Sequence, residues 1–535
     1  MNHVKQTVIG VDVGSGSVRA GVFDLSGQLL SHATHKITTV RRSGQRVEQS
    51  SEQIWQAVCR CIADALDSAG VAPQSVAGIG FDATCSLVVL DKDGAPLPVS
   101  AEGDAEHNVI VWMDHRATAQ AERINATHHP VLNYVGGKIS PEMETPKLLW
   151  LKEHRREIFD RAGQFFDLAD FLTWRATGDL ARSICTVTCK WTWLAHENRW
   201  DADYFRTIGL SELADENFAR IGQRILAPGT PCASGLTEQA AREMGLPVGT
   251  PVAVGLIDAH AGGIGTVGVE EGALSNLAYV FGTSSCTMTS TAEPAFVPGV
   301  WGPYYSAMVP GLWLSEGGQS AAGAAIDQLL AFHPAAEEAR LLAQAAGQPL
   351  PVWLADRVMQ RCAQPSEAVA LASGLHVVPE FLGNRAPFAD PHARAIICGL
   401  GMERDLDNLL ALYMAGLCGI GYGLRQILDA QRACGVNTRN IAISGGAGQH
   451  PLVRQILADA CGMPILTTQC SEPVLLGSAI LGAVAGNIAP SVTDAMKQFT
   501  HVDRYYSPDD AWQALHQRRY DIYKQLQHTA KLIKE

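Results

Sequence analysis

The sequence predicts an α/β protein built from two similar halves. Strands joined by Gly-rich turns precede a helical segment and a further strand, and a strand–turn–strand pattern then returns in the second part of the chain. The 535 residues are 47% hydrophobic and 18% charged, with 51 Gly, which excludes a disordered chain or a fibrous repeat. At roughly 150 residues per domain, this length favours two large domains.

The first half opens with three strands and a helix. TVIGVDVG runs into a Gly/Ser turn, SVRAGVFDL alternates apolar and polar residues, and LLSHATHKI follows an SGQ turn, so we predict a β-meander. From Ser51, SEQIWQAVCRCIADAL has apolar residues at helical spacing. The segment VAGIGFDATCSLVVLDKDGAPL then repeats the strand–turn–strand pattern and closes with an Asp-Gly turn.

The second half repeats the opening pattern. ALSNLAYVFGTSSCTMTS, around Gly282, resembles the segment around Gly14, and the boundary lies near GLIDAHAGGIGTVG, after the strand PVAVGLI. Later, RNIAISGGAGQHPLVRQILAD predicts a strand, a Gly-rich turn and a helix. From Asp510 we predict a docked C-terminal helix with one apolar face, formed by Trp512, Leu515, Ile522 and Leu526.

Charge and hydropathy argue against several classes of partner. The net charge of −13 and the pI near 5.7 are unfavourable for general nucleic-acid binding, which needs a basic surface. The opening MNHVKQTVIG has no apolar core of a secretory signal. PVLLGSAILGAVAGNIAP, from Pro473, is short for a membrane span and rich in small residues, which favours a helix packed inside a protein. We therefore expect a cytoplasmic protein that binds neither nucleic acid nor membrane.

The 13 cysteines are scattered and form no CxxC pair. Cys185 and Cys189 lie four apart, and with no signal peptide, buried reduced thiols are favoured over a zinc site. Cys85 and Cys286 lie in turns, but no His/Asn/Asp signature surrounds them and no GxSxG motif occurs. Thiol and serine nucleophiles are therefore not expected.

Three Gly-rich turns follow strands: DVGSGSV at Asp12, FGTSS at Phe281 and SGGAGQ at Ser444. Small residues let backbone N–H groups approach an anion, and Ser/Thr hydroxyls add donors, although any one of these turns taken alone is more typical of a plain chain reversal. Neither GxxxxGK[ST] nor a complete GxGxxG is present. A phosphate site, if formed, must therefore be shared among separated loops of two domains.

Two carboxylates follow predicted strands and have two interpretations each. Asp258 ends PVAVGLI, where it is either the N-cap of the next helix or a ligand-facing base that accepts a hydroxyl proton. Asp12 ends the first strand, where it either caps local backbone or holds Mg²⁺ beside a polyphosphate.

A second group of polar residues suits a polyhydroxylated ligand. Asp82 and Thr84 follow an apolar strand, and WMDHRA brings together Trp112, Asp114 and Arg116. Carboxylates accept from hydroxyls, Arg donates, and Trp covers the apolar C–H face of a sugar. The alternative is a core Trp with an Asp–Arg pair on the surface.

Together these residues resemble the FGGY family of carbohydrate kinases, within the actin/hexokinase/Hsp70 ATPase-fold superfamily. The resemblance runs from about Val8 to Gly486 and rests on GVDVGSGSVRAGVFD, GFDATCSLVVLD, VWMDHRA, GLIDAHAGG, FGTSS, EGGQSAAG and SGGAGQHPLVRQ. It implies an α/β fold of two ribonuclease-H-like domains flanking a deep cleft. Residues 1–262 would be the mainly sugar-binding domain, 263–500 the mainly ATP-binding domain and 501–535 the docked helix.

The resemblance also implies roles for individual residues. It makes Asp258 the catalytic base and Asp12 the residue near Mg²⁺. On the ATP side it implies contacts from Ser15, Gly16, Ser17, Gly282, Thr283, Ser284, Gly323, Gly445, Gly446, Gln449 and His450. On the sugar side it implies contacts from Asp82, Thr84, Trp112, Asp114, Arg116, Glu142, Met143, Lys190, Asp258 and Glu316.

Within the family, the sugar segment resembles the D-ribulokinase branch. TCSLVVLD, from Thr84, is similar to that branch, whereas glycerol kinases carry Arg-Glu where this chain has Thr84-Cys85, and Met143 replaces an aromatic residue of L-ribulokinases. The expected reaction is phosphorylation of D-ribulose to D-ribulose 5-phosphate with ATP and Mg²⁺. The alternatives are a kinase for L-ribulose, xylulose or erythritol, and a nucleotide-dependent conformational protein without a sugar pocket. Family members are often dimers, so a homodimer is one expectation.

Overall fold

The computed structural model describes residues 6–102 and 105–533. The strands of its first half are β1 (Thr7–Val13), β2 (Ser17–Asp24), β3 (Leu29–Lys36), β4 (Val40–Arg42), β5 (Arg46–Gln49), β6 (Val76–Ala83), β7 (Leu87–Asp91), β8 (Val109–Ile110), β9 (Ala162–Asp167), β10 (Arg182–Ser183), β11 (Ile225–Leu226) and β12 (Leu256–Ile257). The helices of this half are α1 (Ser51–Ala69), α2 (Thr118–Ala126), α3 (Glu144–His154), α4 (Arg156–Arg161), α5 (Leu168–Thr177), α6 (Ile184–Lys190), α7 (Ala202–Ile208), α8 (Ser211–Asp215), α9 (Glu238–Met244) and α10 (Asp258–Ile264).

The second half continues the same alternation of strands and helices. Its strands are β13 (Asn276–Phe281), β14 (Ser285–Thr291), β15 (Trp301–Tyr305), β16 (Trp313–Gln319), β17 (His376–Val378), β18 (Ile396–Cys398), β19 (Asn440–Ser444), β20 (Ile465–Thr468) and β21 (Val502–Tyr506). Its helices are α11 (Gly323–Ala331), α12 (Ala336–Ala345), α13 (Leu350–Met359), α14 (Leu406–Ala433), α15 (Pro451–Cys461), α16 (Pro473–Ala485), α17 (Val492–Phe499) and α18 (Asp510–Leu532).

Each half contains a sheet in which three antiparallel strands are joined by two parallel ones. The first sheet has the order β12-β6-β1-β2-β3, in which β1, β2 and β3 form an antiparallel meander and β6 and β12 add in parallel. The second has the order β15-β16-β14-β13-β19-β20-β21, with β13, β14 and β16 antiparallel and β19 and β20 parallel. These shared five strands confirm the α/β class and agree with the predicted duplication, although the second sheet adds β15 beside β16 and β21 beside β20.

The predicted elements differ from the structure mainly at their ends. The helix predicted from Ser51 is α1, whose N-cap is the preceding Ser50, because that side chain accepts a hydrogen bond from the Gln53 amide. The strand predicted over PVAVGLI is reduced to β12, since only Leu256 and Ile257 pair continuously with β6. The division of the chain at residues 262 and 500 stays a prediction.

Helices α10 and α16 cross at close range between the two sheets. A Cβ added at Gly477 of α16 would lie 1.8 Å from the carbonyl oxygen of Ala261 in α10. A Cβ at Gly80 of β6 would lie 1.8 Å from the carbonyl oxygen of Ser478, so α16 also rests directly on the backbone of the first sheet. Only glycine permits such approaches, which confirms that this small-residue segment packs inside the protein. Among the described helices, none has the length and apolarity needed to cross a membrane.

The C-terminal segment adds a strand and a long helix to the second half. β21 pairs antiparallel with β20, and α18 follows it. Trp512, Leu515 and Leu526 pack against the core of the second half as predicted, whereas Ile522 is half-buried and is not one of the side chains packed there. The buried side chains of α18 also include polar ones, such as His516, whose Nδ1 lies 2.8 Å from the Tyr422 hydroxyl. The docked C-terminal helix is therefore present.

Candidate active site

Asp258 lies where β12 ends and α10 begins. It is the first residue of the helix, while the N-cap position belongs to Ile257, and its Oδ1 accepts a hydrogen bond from the Ala259 amide at 2.8 Å. Burial, followed by the nearby charge of Asp12, raises the pKa of Asp258 to about 6. A carboxyl group poised near neutral pH at the carboxyl end of a parallel strand is suited to act as a general base.

Asp12 and Asp82 form a pair of carboxyl groups beside this position. They are register partners in the parallel strands β1 and β6, and β12 is the next strand of the sheet. Asp82 is fully buried, and its Oδ2 accepts a hydrogen bond of 2.5 Å from Ser478 of α16. Burial, and then Asp12, raises the pKa of Asp82 well above its usual range, because two close carboxyl groups resist a second charge.

The carboxyl pair fits a magnesium ion. Mg²⁺ prefers oxygen ligands and keeps several waters, so one or two carboxylates are enough to hold it. Asp82 Oδ1 is buried without a hydrogen-bond partner in the described structure, which leaves one oxygen free for such a contact. Asp12 already accepts two hydrogen bonds from Arg19, at 3.0 and 2.5 Å, through its Oδ2.

The turn after β1 presents two free amide groups. The Gly14 amide donates to the Ser17 carbonyl at 3.0 Å, while no acceptor within the described residues bonds the amides of Ser15 and Gly16. The Ser15 carbonyl accepts from Gln49 at 2.7 Å, and its hydroxyl accepts from Trp112 Nε1 at 2.9 Å. The turn is thus fixed through the Ser15 carbonyl and hydroxyl, which leaves its two unbonded N–H groups available to an anion.

The turn after β13 repeats this arrangement in the second half. The Gly282 amide donates to the Ser284 carbonyl at 3.0 Å, and the amides of Thr283 and Ser284 have no bonded acceptor in the part of the chain that is described. The Gly282 carbonyl accepts from Gly323 at the start of α11, at 2.9 Å. Two similar turns with exposed amides, one from each half, are what a shared polyphosphate site needs.

A cavity of about 570 Å³ opens beside the second turn. A volume of this size is within the usual range for a small-molecule site. Six of the residues predicted to contact ATP line it: Gly282, Thr283, Gly323, Gly446, Gln449 and His450. Most of the remaining wall is apolar, formed by Phe281, Ala324, Ile326, Pro349, Pro351, Val352, Tyr413, Leu417, Ala447 and Val453, with Asp327 as a charged member.

The turn after β19 closes one side of this cavity. Gly445 has a φ of 95°, and a Cβ there would lie 2.4 Å from the Phe281 carbonyl oxygen, so this position requires glycine. His450 caps α15 through Nδ1, which accepts from the Leu452 amide at 3.1 Å, and its Nε2 contacts Asp356 at 2.9 Å. His450 therefore has a structural role as the N-cap of α15, in addition to its position in the wall of the cavity.

Charged groups from both halves meet near Asp258. Lys190 ends α6, and its ammonium lies 5.7 Å from the centre of the Trp301 ring. Glu316 of β16 is buried and contacts His260 Nε2 through Oε1 at 2.5 Å. Burial alone would raise the pKa of Glu316, but the positive charge of His260 and then of Lys190 lowers it to about 2. Glu316 is therefore ionised and able to accept hydrogen bonds from a sugar.

The remaining predicted sugar residues lie on the first half. Thr84 Oγ1 lies 3.0 Å from Ser86 Oγ, which also accepts from the Trp112 amide at 3.1 Å. Met143 is buried at the start of α3, and the preceding Glu142 contacts His115 Nε2 at 3.0 Å. Their contacts with a sugar stay a prediction.

Asp114 and Arg116 occupy a buried ion-pair network. Arg116 donates from Nη2 to Asp114 Oδ2 at 2.7 Å and to Glu48 Oε1 at 3.0 Å, and Asp114 Oδ2 also accepts a hydrogen bond from the Val47 amide at 2.6 Å. The pair exists, but it is buried rather than on the surface. Because these groups satisfy each other, their evident role is to hold the Trp112 segment, and direct sugar contact by them stays a prediction.

Three charged residues at the site escaped the sequence analysis. Arg19 could have been found, because the short turn pairs it with Asp12 across the β1–β2 hairpin. His260 lies two residues beyond Asp258, but its contact with Glu316 joins two separate sheets. Arg385, which helps to lower the pKa of Glu316, comes from a loop with no motif of its own.

Two protein-family domains match this chain. The N-terminal domain of the FGGY family of carbohydrate kinases matches residues 7–265, and the C-terminal domain of the same family matches residues 277–486. The chain belongs to the FGGY family of carbohydrate kinases. It is therefore a phosphotransferase that takes ATP as donor and a sugar as acceptor, as the resemblance implied.

Relatives and solved structures support the placement of this FGGY kinase. It is 46% identical over 530 residues to a human FGGY carbohydrate kinase domain-containing protein, covering 97% of this chain and 95% of the relative. It is 37% identical over 514 residues to the D-ribulokinase of Saccharomyces cerevisiae, covering 89% and 71%. The xylulose kinase from Rhodospirillum rubrum superposes with a TM-score of 0.80 at 21% identity, covering 98% and 99%, which confirms the two-domain fold.

Proposed function

We propose that this FGGY kinase phosphorylates D-ribulose on O5 with Mg·ATP, giving D-ribulose 5-phosphate. The observation that carries the proposal is Asp258, a buried carboxyl group at the end of a parallel strand, with a pKa near 6 and within electrostatic reach of both Asp12 and Lys190. The choice of D-ribulose is supported by the 37% identity to the yeast D-ribulokinase and by the segment that begins at Thr84.

Asp258 accepts the proton of the attacking hydroxyl. The C5 oxygen of the sugar attacks the γ-phosphorus while its proton passes to the carboxylate, and ADP leaves on the opposite side. At neutral pH most Asp258 side chains are ionised, since the pKa is about 6, so the base is ready before substrate binds. A positioned base of this kind contributes about 10²–10⁴-fold to the rate.

The two turns stabilise the charge that the phosphoryl group carries. The free amides of Ser15 and Gly16 approach it from the first half, and those of Thr283 and Ser284 approach the ADP phosphates from the second. Fixed donors of this kind need no reorganisation during the reaction, which is why they lower the barrier efficiently. Trp112, which donates to the Ser15 hydroxyl, keeps the first turn aligned.

Asp12 would hold a magnesium ion, directly or through waters, and Asp82 beside it would be a second ligand rather than the sugar contact that the resemblance implied. Such an ion would supply positive charge that offsets the negative charge of the phosphates. Arg19 bonds the same Asp12 oxygen and also contacts Glu472, so it fixes the orientation of Asp12.

Lys190 and Glu316 orient the sugar. Lys190 is an ammonium donor and Glu316 an ionised acceptor, so together they match the carbonyl and hydroxyl groups of an open-chain ketose. They come from different halves of the chain, so a bound sugar contacts both. Closing the halves around it excludes water from the γ-phosphate.

The proposal is tested by measuring ADP formation with Mg·ATP and a panel of acceptors. The panel contains D-ribulose, L-ribulose, D-xylulose, L-xylulose, erythritol, ribitol, glycerol and a sample without acceptor. We expect strong stimulation by D-ribulose and weak or no stimulation by the others. Stronger stimulation by another pentulose or polyol would keep the role of Asp258 and contradict the assignment of the sugar pocket.

A further inference from the structure

Two cysteines and a histidine meet behind the proposed sugar site. Cys185 and Cys189 lie one turn apart on α6, and His260 lies on α10. All three side chains are buried, with exposed fractions of 0%, 0% and 1%. Their two Sγ atoms and one imidazole nitrogen all lie within 4.8 Å of one another. The sequence alone favours buried reduced thiols here, because the cysteines are scattered and form no CxxC pair.

The spacing of these atoms fits a tetrahedral metal. With Zn–S bonds of about 2.3 Å and Zn–N bonds of about 2.0 Å, two ligand atoms lie about 3.5 Å apart. Cys185 Sγ lies 3.4 Å from His260 Nδ1, which matches this spacing. Cysteines four apart on a helix share one face, so both thiols point to the same side.

The imidazole of His260 is oriented as in many metal centres. Nδ1 faces the thiols, while Nε2 contacts Glu316 Oε1 at 2.5 Å. A carboxylate on the far nitrogen fixes the ring and increases its strength as a ligand. The Ile257 amide donates to Cys185 Sγ at 3.5 Å, and a donor of this kind helps to orient a sulfur ligand.

Charge balance is compatible with a cation at this position. Zinc binds cysteine as the thiolate, so binding would release the two thiol protons, and the two thiolates would neutralise the divalent ion. The ion and its ligands could then be buried together without net charge.

We propose that Cys185, Cys189 and His260 bind one Zn²⁺, with a water molecule in the fourth position. The site joins α6 to α10. Lys190 ends the first of these helices and Asp258 begins the second, so the metal holds two residues of the active site at a fixed separation. The proposal rests on the ligand geometry and does not depend on the identity of the sugar.

The test is the metal content of the full-length chain without an affinity tag. The protein is dialysed against Zn²⁺ and then against metal-free buffer, and zinc is measured by inductively coupled plasma mass spectrometry. We expect one equivalent per chain. We expect none in Cys189→Ser, and one in the matched control Cys61→Ser, a buried cysteine whose Sγ donates to the Val18 carbonyl.

Cobalt provides a second measurement on the unaltered chain, should a variant fail to fold. Co²⁺ bound by two thiolates gives intense sulfur-to-metal absorption in the near ultraviolet and tetrahedral bands in the visible. Both sets of bands are expected in the wild type. A chain that retains neither metal, or that binds Zn²⁺ equally in Cys189→Ser and Cys61→Ser, would overturn the proposal and leave a metal-free thiolate–imidazolium pair.

Discussion

Asp12 and Asp82 lie directly opposite each other in the neighbouring parallel strands β1 and β6, so their carboxyl groups meet at the carboxyl ends of these strands. Helix α16, which comes from the second half, contacts this pair through Ser478, whose hydroxyl donates to Asp82. The proposed metal position in the first half is thus in contact with α16, a helix whose sequence belongs to the second half. Movement of one half against the other would change the surroundings of the pair.

Replacing Asp82 with Asn should stabilise the fold at high pH and weaken the response to Mg²⁺. In the folded chain the pKa of Asp82 is raised, so ionisation of this group destabilises the fold as pH rises above its unfolded value of about 4. In EDTA at about pH 8, Asp82→Asn should therefore raise the melting temperature by about 2 °C, and this gain should disappear near pH 4. The same variant should need at least about tenfold more Mg²⁺ for half-maximal activity. An unchanged Mg²⁺ requirement would remove Asp82 from the metal site.

The pH dependence of catalysis should report Asp258. Its pKa of about 6 in the free enzyme means that the base loses activity as the pH falls through this value. We expect log kcat/KM for D-ribulose to rise with unit slope below about pH 6 and to level off above it. A profile that stays flat across this interval, with the enzyme folded throughout, would argue against a titrating base at this position.

Trp112 is predicted to act on the phosphate turn. Trp112→Phe keeps the ring but removes the hydrogen bond to the Ser15 hydroxyl. Loss of about 1 kcal/mol of positioning energy should lower kcat about fivefold, with a smaller effect on the KM for sugar. Steady-state kinetics with each substrate varied separately distinguish the two roles. A large rise in the KM for D-ribulose at constant kcat would mean that the indole acts mainly on the sugar.

Adjacent glycines allow the nucleotide cavity to be tested with a matched control. A Cβ at Gly446 meets no atom within 4 Å and points to free space, so Gly446→Leu should fold normally and partly fill the cavity. The KM for ATP should rise at least about tenfold, equivalent to about 1.4 kcal/mol, while the KM for sugar stays unchanged.

The neighbouring Gly445→Ala should instead destabilise the fold. Its Cβ would meet the Phe281 carbonyl oxygen at 2.4 Å in a backbone with a φ of 95°, so it should lower the melting temperature. Normal ATP kinetics in Gly446→Leu would show that the nucleotide binds elsewhere.

Local patterns in the sequence predicted much of the fold. The β1–β2–β3 meander, helix α1 and the strand–turn–helix at Ser444 follow from period and turn chemistry, which depend on neighbouring residues. The length of β12 did not follow, because its pairing with β6 is set by tertiary contacts rather than by its own apolar run.

The site was predictable only in part, for the same physical reason. Asp258 and the Gly-rich turns stand at strand ends and carry a local signal. The contact of His260 with Glu316 and the position of Cys185 beside His260 depend on long-range packing, which no local pattern encodes. Asp114 and Arg116 were correctly paired by proximity, but their burial depends on Glu48 and the strand that carries it.

The most direct test of the central claim is the product and rate of Asp258→Asn beside the wild type. Phosphorylation of D-ribulose is followed by ³¹P NMR, which identifies the phosphorylated oxygen, and ATP affinity is measured by calorimetry. We predict D-ribulose 5-phosphate from the wild type, and a turnover at least about a hundredfold lower in the variant with nearly unchanged ATP affinity. Near-normal turnover in Asp258→Asn would contradict the account.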